Sequence, residues 1–158
     1  MPNWCSNRVT FCGEPNDIKQ IVRLLETEKS VFDFNAVIPK PEVFDEIVSG
    51  HCKIDGKEYR VWRVVDGKNV PVSDEEIAQL KRSYGSTNWY DWCRTNWGTK
   101  WNASEPQRTD LDEYTVEYIF DTAWGPPEQV CNKLREMFPK VNISWFYDEP
   151  GCELAGYL

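Results

Sequence analysis

The chain has 158 residues, a length suited to one domain carrying an insertion. Hydrophobic residues make up 41% and aromatic residues 14%, enough apolar surface for a core that needs no disulfide or metal. The formal charge of −8 argues against direct nucleic-acid binding, which needs Lys and Arg against phosphates, and against a polybasic membrane contact.

Trp4 to Cys12 is rich in β-formers and reads as a first strand closed by Gly13. Asn16 is placed to cap a helix over 17–28, where Ile18, Ile21, Val22 and Leu25 recur at helical spacing. Residues 32–38, Phe-Asp-Phe-Asn-Ala-Val-Ile, read as a second strand, which Pro39 and Pro41 end because proline cannot donate to a ladder. A short helix is expected over 41–48. Asp55-Gly56 and Asp66-Gly67 are hairpin signals and predict a three-stranded meander over 52–72. Ser73-Asp74-Glu75-Glu76 is a capping box that opens a helix with Ile77, Leu80 and Tyr84, stopped near Gly85.

The tryptophan-rich stretch 87–103 follows, with a helical first half ending near Gly98. Residues 113–123 alternate and form the clearest strand. Gly125-Pro126-Pro127 turns into a helix with Val130, Cys131, Leu134, Met137 and Phe138 on one face. Strands at 141–146 and 152–158 complete the chain. The order is that of an α+β, ferredoxin-like antiparallel sheet, βαββαβ, with two helices on one face. The long mixed insertion, residues 39–112, falls between core strands two and three of a single domain spanning 1–158; it holds the meander, a helix and the Trp-rich segment.

Six cysteines and one histidine are present. No C-x-x-C pair suggests a metal site, so the cysteines read as free, mostly buried thiols, and His51 as an exposed loop residue. We expect no cofactor. No apolar leader or membrane span is evident, which predicts a cytoplasmic protein.

Residues 87–103 hold four of the eight tryptophans, interleaved with polar side chains. Within them Asn96, Trp97, Thr99, Lys100, Trp101 and Asn102 allow two readings. One is a pocket floor, with indole faces for stacking, amide and hydroxyl groups for hydrogen bonds and an ammonium for an anion. The other is a buried loop pinned to the sheet, its polar side chains satisfying backbone groups. Asp121 and Trp124 stand at a strand-to-helix corner that would line the same cleft. Asp148 and Glu149 are either paired carboxylates for acid–base work or part of a solvated hairpin turn. No P-loop, G-x-G-x-x-G or G-x-S-x-G occurs.

Met1-Pro2-Asn3-Trp4-Cys5-Ser6-Asn7, Phe32-Asp33-Phe34-Asn35 with Ile38-Pro39, the run from Asn96 to Asn102, and Thr122-Ala123-Trp124 with Pro126-Pro127 resemble the YubB-type family. The resemblance implies a ferredoxin-like fold without an iron–sulfur cluster, and an accessory protein of a plasmid or phage in a bacterial host. It assigns no activity. The leading expectation is a non-enzymatic binding module whose Trp-rich pocket or surface engages a host protein or small ligand. The alternatives are an enzyme acting on a small nucleotide- or sugar-like substrate, held by Lys100 and Asn96, and an acidic decoy for a DNA-binding protein.

Overall fold

The computed structural model describes residues 2–158, and the chain forms two compact units. One comprises the residues up to Pro39 together with Asn96–Leu158; the other is Lys40–Thr95.

In the first unit, β1 (Trp4–Cys12) alternates strictly, with Cys5, Asn7, Val9 and Phe11 buried and Trp4, Ser6 and Arg8 exposed. Helix α1 (Pro15–Leu25) starts one residue before the expected capping asparagine. Pro15, whose fixed φ suits a first helical position, makes Glu14 the N-cap and leaves Asn16 exposed within the helix. Residues 32–38 are not a strand. The Asp33 carboxylate accepts from the Asn35 backbone N–H and caps one helical turn, α2 (Phe34–Val37). Phe34 and Val37, three apart, then share a buried face, so the apolar spacing that mimics a strand is used by a helix turn.

The second unit, Lys40–Thr95, carries a short 3-10 turn (Glu42–Asp45) and a meander. Its strands are β2 (Val48–Ile54), β3 (Lys57–Val65) and β4 (Lys68–Pro71). Both hairpin signals form as expected: Asp55 and Gly56 lie at φ 48° and 83°, Asp66 and Gly67 at 50° and 74°. Helix α3 (Asp74–Tyr84) is capped by Ser73, whose hydroxyl accepts from Glu76, and ends on left-handed Gly85. Helix α4 (Trp89–Asn96) opens where the Asn88 side chain accepts from Asp91. Trp92 buries its ring beside Phe44 in this unit's core.

The chain returns to the first unit with β5 (Ser104–Asp112), β6 (Thr115–Ala123), α5 (Glu128–Met137), β7 (Asn142–Glu149) and β8 (Leu154–Tyr157). The five-stranded sheet has the order β5-β6-β1-β7-β8, and every neighbouring pair is antiparallel. Strand β5 lies within the stretch read as insertion. Its sequence is polar, holds Pro106 and bulges twice against β6, so no apolar alternation announces it.

One sheet face is buried. Phe32 fills its centre, with ring centroids of Phe120 at 4.8 Å, Tyr118 at 5.1 Å, Phe34 at 5.9 Å and Trp145 at 6.0 Å. Ile18, Ile21 and Leu25 of α1 and Val130, Cys131 and Leu134 of α5 are buried as well. The opposite face carries exposed Arg8, Ile119, Phe146 and Tyr157, which share one cross-strand row.

Phe32 is fully buried, and replacing it with alanine leaves a cavity between four rings. Phe32→Ala is therefore expected to cost roughly 3–5 kcal/mol in urea unfolding. Tyr114→Ala, at an exposed position, should change stability by no more than about 0.5 kcal/mol.

Candidate functional site

The Trp-rich stretch divides at the boundary between the units: Trp89 and Trp92 lie in the second, Trp97 and Trp101 in the first. Just after α4, Gly98 adopts φ +90°. A Cβ there would stand 2.5 Å from Gln129 Oε1 and 3.0 Å from the Glu128 backbone nitrogen, so only glycine brings the stretch this close to the start of α5.

Three nominated residues act as pins. Trp97 is buried, donates Nε1–H to the Ile38 carbonyl at 2.9 Å and packs edge-on to Phe34. Thr99 is buried and donates its hydroxyl to the Ala123 carbonyl at the end of β6, 2.9 Å away. Asn102 receives the Phe34 backbone N–H at 2.8 Å and the Ala103 N–H at 2.9 Å on Oδ1, and donates Nδ2–H to Asp33 at 2.7 Å. These groups satisfy irregular backbone, as the pinned-loop reading expects. Asn96 ends α4, is half-buried and is engaged with its surroundings.

The remaining nominated residues face outward or stand at the rim. Trp101 is 40% exposed, and the Lys100 ammonium lies 3.9 Å from its ring centroid. Trp4, 41% exposed, places its ring 6.1 Å from that of Trp101 at a 40° tilt. Trp124 is 52% exposed and holds φ +72°, its backbone N–H donating to the Asn3 carbonyl at 2.9 Å. Since Trp4 pairs with Ala123 in the sheet, all three indoles come from one end of the β1–β6 pair and the segment pinned to it. Asp121 is half-buried and makes no hydrogen bond or ion pair among the described residues; burial, with the charge of Glu105, holds its carboxyl above the ordinary value of 3.8.

Trp4 was legible as a strand former but not as a surface residue. The signal is parity: Val9 and Phe11 mark the inward positions of β1, and Trp4 stands on the other set.

Two clefts border the first unit. One, of about 800 Å³, is lined by Thr27, Lys29, Asp33, Asn102 and Glu105 among others; the other, of about 310 Å³, lies between α1 and the β5–β6 turn. Of the nominated residues only Asn102 lines either; Lys100 and the exposed indoles do not, so these clefts do not form the tryptophan-floored pocket considered above.

Residues 148–153 are not simply a solvated turn. Glu149 is 1% exposed, and its carboxylate accepts no hydrogen bond from an N–H group among the described residues. Cys152 beside it is exposed, its thiol pushed up chiefly by interaction with Glu149. Cys5, Cys93 and Cys131 are buried, and burial raises each thiol to about 11. His51 is exposed but lies within β2, its Nε2 2.6 Å from the Arg60 guanidinium.

Residues 96–158 match a family model described as a ferredoxin-like domain in Api92-like protein. Among solved structures the chain is similar to the crystal structure of a protein api92 from Yersinia pseudotuberculosis, at 12% identity and a TM-score of 0.56, over 99% of this chain and 93% of that one. At that identity the likeness is one of fold. No curated protein matches the chain in sequence. The chain is thus α+β, with antiparallel sheets and a ferredoxin-like domain, and the matching model bears an Api92-like rather than a YubB-type description. No helix among the described residues is long and apolar enough to cross a membrane.

Two stability results separate pins from surface. Asn102→Ala leaves the Phe34 N–H and the Asp33 carboxylate short of a partner and is expected to cost roughly 1–3 kcal/mol in urea unfolding, whereas Lys100→Ala, at a half-buried position joined to Trp101 by a cation–π contact alone, should cost about 1 kcal/mol or less. Because folding raises the Asp121 carboxyl, its stabilising contribution is complete below 3.8 and declines as pH rises through the elevated folded value. Asp121→Asn should remove that decline, read as a flatter stability curve in urea titrations between roughly pH 3 and pH 8.

Proposed function

We propose that this chain is a non-enzymatic binding protein that holds a partner protein against the indoles of Trp4, Trp101 and Trp124. The observation that carries the reading is Trp124. A bulky residue at φ +72° is strained by about 1–3 kcal/mol, and this one also keeps half its surface in water. Strain without burial is a cost that folding alone does not recover, and such outliers concentrate where a surface is used. Two further exposed tryptophans, Trp4, which pairs with the preceding Ala123, and Trp101, which lies against Trp4, supply the aromatic anchors that dominate protein interfaces.

The same reading takes β1, α1, β5, β6, α5 and β7 as the six elements of a βαββαβ sandwich. The sheet order β5-β6-β1-β7 supports it, with both helices on the buried face and Lys40–Thr95 inserted between α1 and β5. The proposal takes the protein, from its resemblance to the YubB-type family, as an accessory protein of a plasmid or phage that acts in the bacterial cytoplasm on a host protein.

Trp124→Gly tests the idea directly. Glycine relieves the positive φ, so the variant should match or exceed the wild type in thermal midpoint. With Trp101→Ala it should also lose a partner that wild-type bait enriches from host lysate and that mass spectrometry identifies. A partner retained by the folded double variant overturns the proposal, as does a Trp124→Gly variant that unfolds, since that would make the indole a core element.

A further inference from the structure

The geometry points to a basic peptide segment as the partner element that docks on this surface, its Lys or Arg side chain replacing Lys100 over the ring of Trp101. This inference rests on the binding reading above and adds the chemistry of the partner. Lys100 is the first argument. Its ammonium, 3.9 Å from the Trp101 ring centroid, shows that this indole face accepts a cation. Lys100 makes no ion pair among the described residues, so nothing beyond the ring holds it there. The neighbouring Trp4 ring is tilted by 40° instead of stacked, which leaves the two faces splayed rather than closed on each other.

Charge is the second argument. Trp4 and Ser6 share the open parity of β1, and Ser6 is flanked across the sheet by Asp121 on β6 and Asp148 on β7. Neither aspartate makes a salt bridge among the described residues. Arg8 stands one row further along the same face, so two carboxylates are matched by one guanidinium there. Burial is the main reason the Asp121 carboxyl is raised; the smaller contribution, the charge of Glu105, places a further carboxylate within electrostatic reach of Asp121 that an arriving cation would also meet. The net charge of −8 has the same sign and would steer a basic segment toward the molecule.

The test uses the full chain and three synthetic peptides of equal length built on Arg, Gln and Glu, each with the same apolar spacers. Indole N–H chemical shifts and calorimetry report binding. The Arg peptide should bind, shift the Trp101 and Trp4 indoles, and weaken steeply with added salt. Lys100→Ala should tighten it about twofold to fivefold, because the resident cation no longer competes. Asp121→Asn should weaken it, and Trp101→Ala should abolish it while Trp101→Phe keeps part of it. Equal binding of the Gln or Glu peptide, weaker binding on Lys100→Ala, or no binding of any peptide overturns the inference. If the lysate partner still depends on Trp101 and Trp124 in those cases, the binding reading stands and only the basic partner chemistry falls. If that dependence is also absent, both fall.

Discussion

The arrangement rests on one polar clasp, between the Asp33 carboxylate and the Asn102 amide. Asp33 receives the Asn35 backbone N–H, the Thr27 hydroxyl and the Asn102 amide, while Asn102 receives the backbone N–H groups of Phe34 and Ala103. Five hydrogen bonds thus meet at two side chains that are 69 residues apart in the chain. They hold the turn that places Phe32 among four aromatic rings, and they hold the far end of the tryptophan-rich stretch. Losing either partner breaks several of these bonds at once in a half-buried place, which is why such clasps act as a unit.

The clasp also sorts the tryptophans. With Asn102 fixed at one end and Gly98 pressed against the start of α5 at the other, Trp97 is carried inward onto the Ile38 carbonyl. Lys100 and Trp101, between the pins at Thr99 and Asn102, have nowhere to go but outward. Thr99 and Asn102 therefore bond backbone groups, and the side chains left at the surface between them are a lysine and a tryptophan. Trp124, one residue past the end of β6, is exposed at a strained corner whose local cost the well-packed sheet sustains.

A second buried polar group shows how the sheet keeps its register. Asn7 is fully buried in the central strand, donates to the Thr122 hydroxyl at 2.8 Å and the Cys5 carbonyl at 2.9 Å, and accepts from the Trp145 indole at 3.1 Å. A slip of either neighbouring strand would break these bonds inside a low-dielectric core, where an unpaired amide is costly. Glu149, on the same side of β7, has no such set of partners and meets the Cys152 thiol instead.

Where several local signals agree, the sequence by itself determined the outcome. The span of β1, the two Asp-Gly turns, the Ser73 cap and the Gly85 stop follow from alternation, left-handed turn residues and capping, all of which act within a few residues. Where partners lie far apart, only the tertiary structure decided. Residues 32–38 have strand spacing, yet the Asp33 cap and the pocket among Tyr118, Phe120 and Trp145 select a helical turn. Residues 104–112 lack any apolar alternation and become a strand because β6 presents an edge to pair with. Composition marked 87–103 as the distinctive stretch, but whether each indole lies in the core or in water depends on hydrogen bonds to residues some sixty to seventy positions away, a distance over which local pattern carries no information.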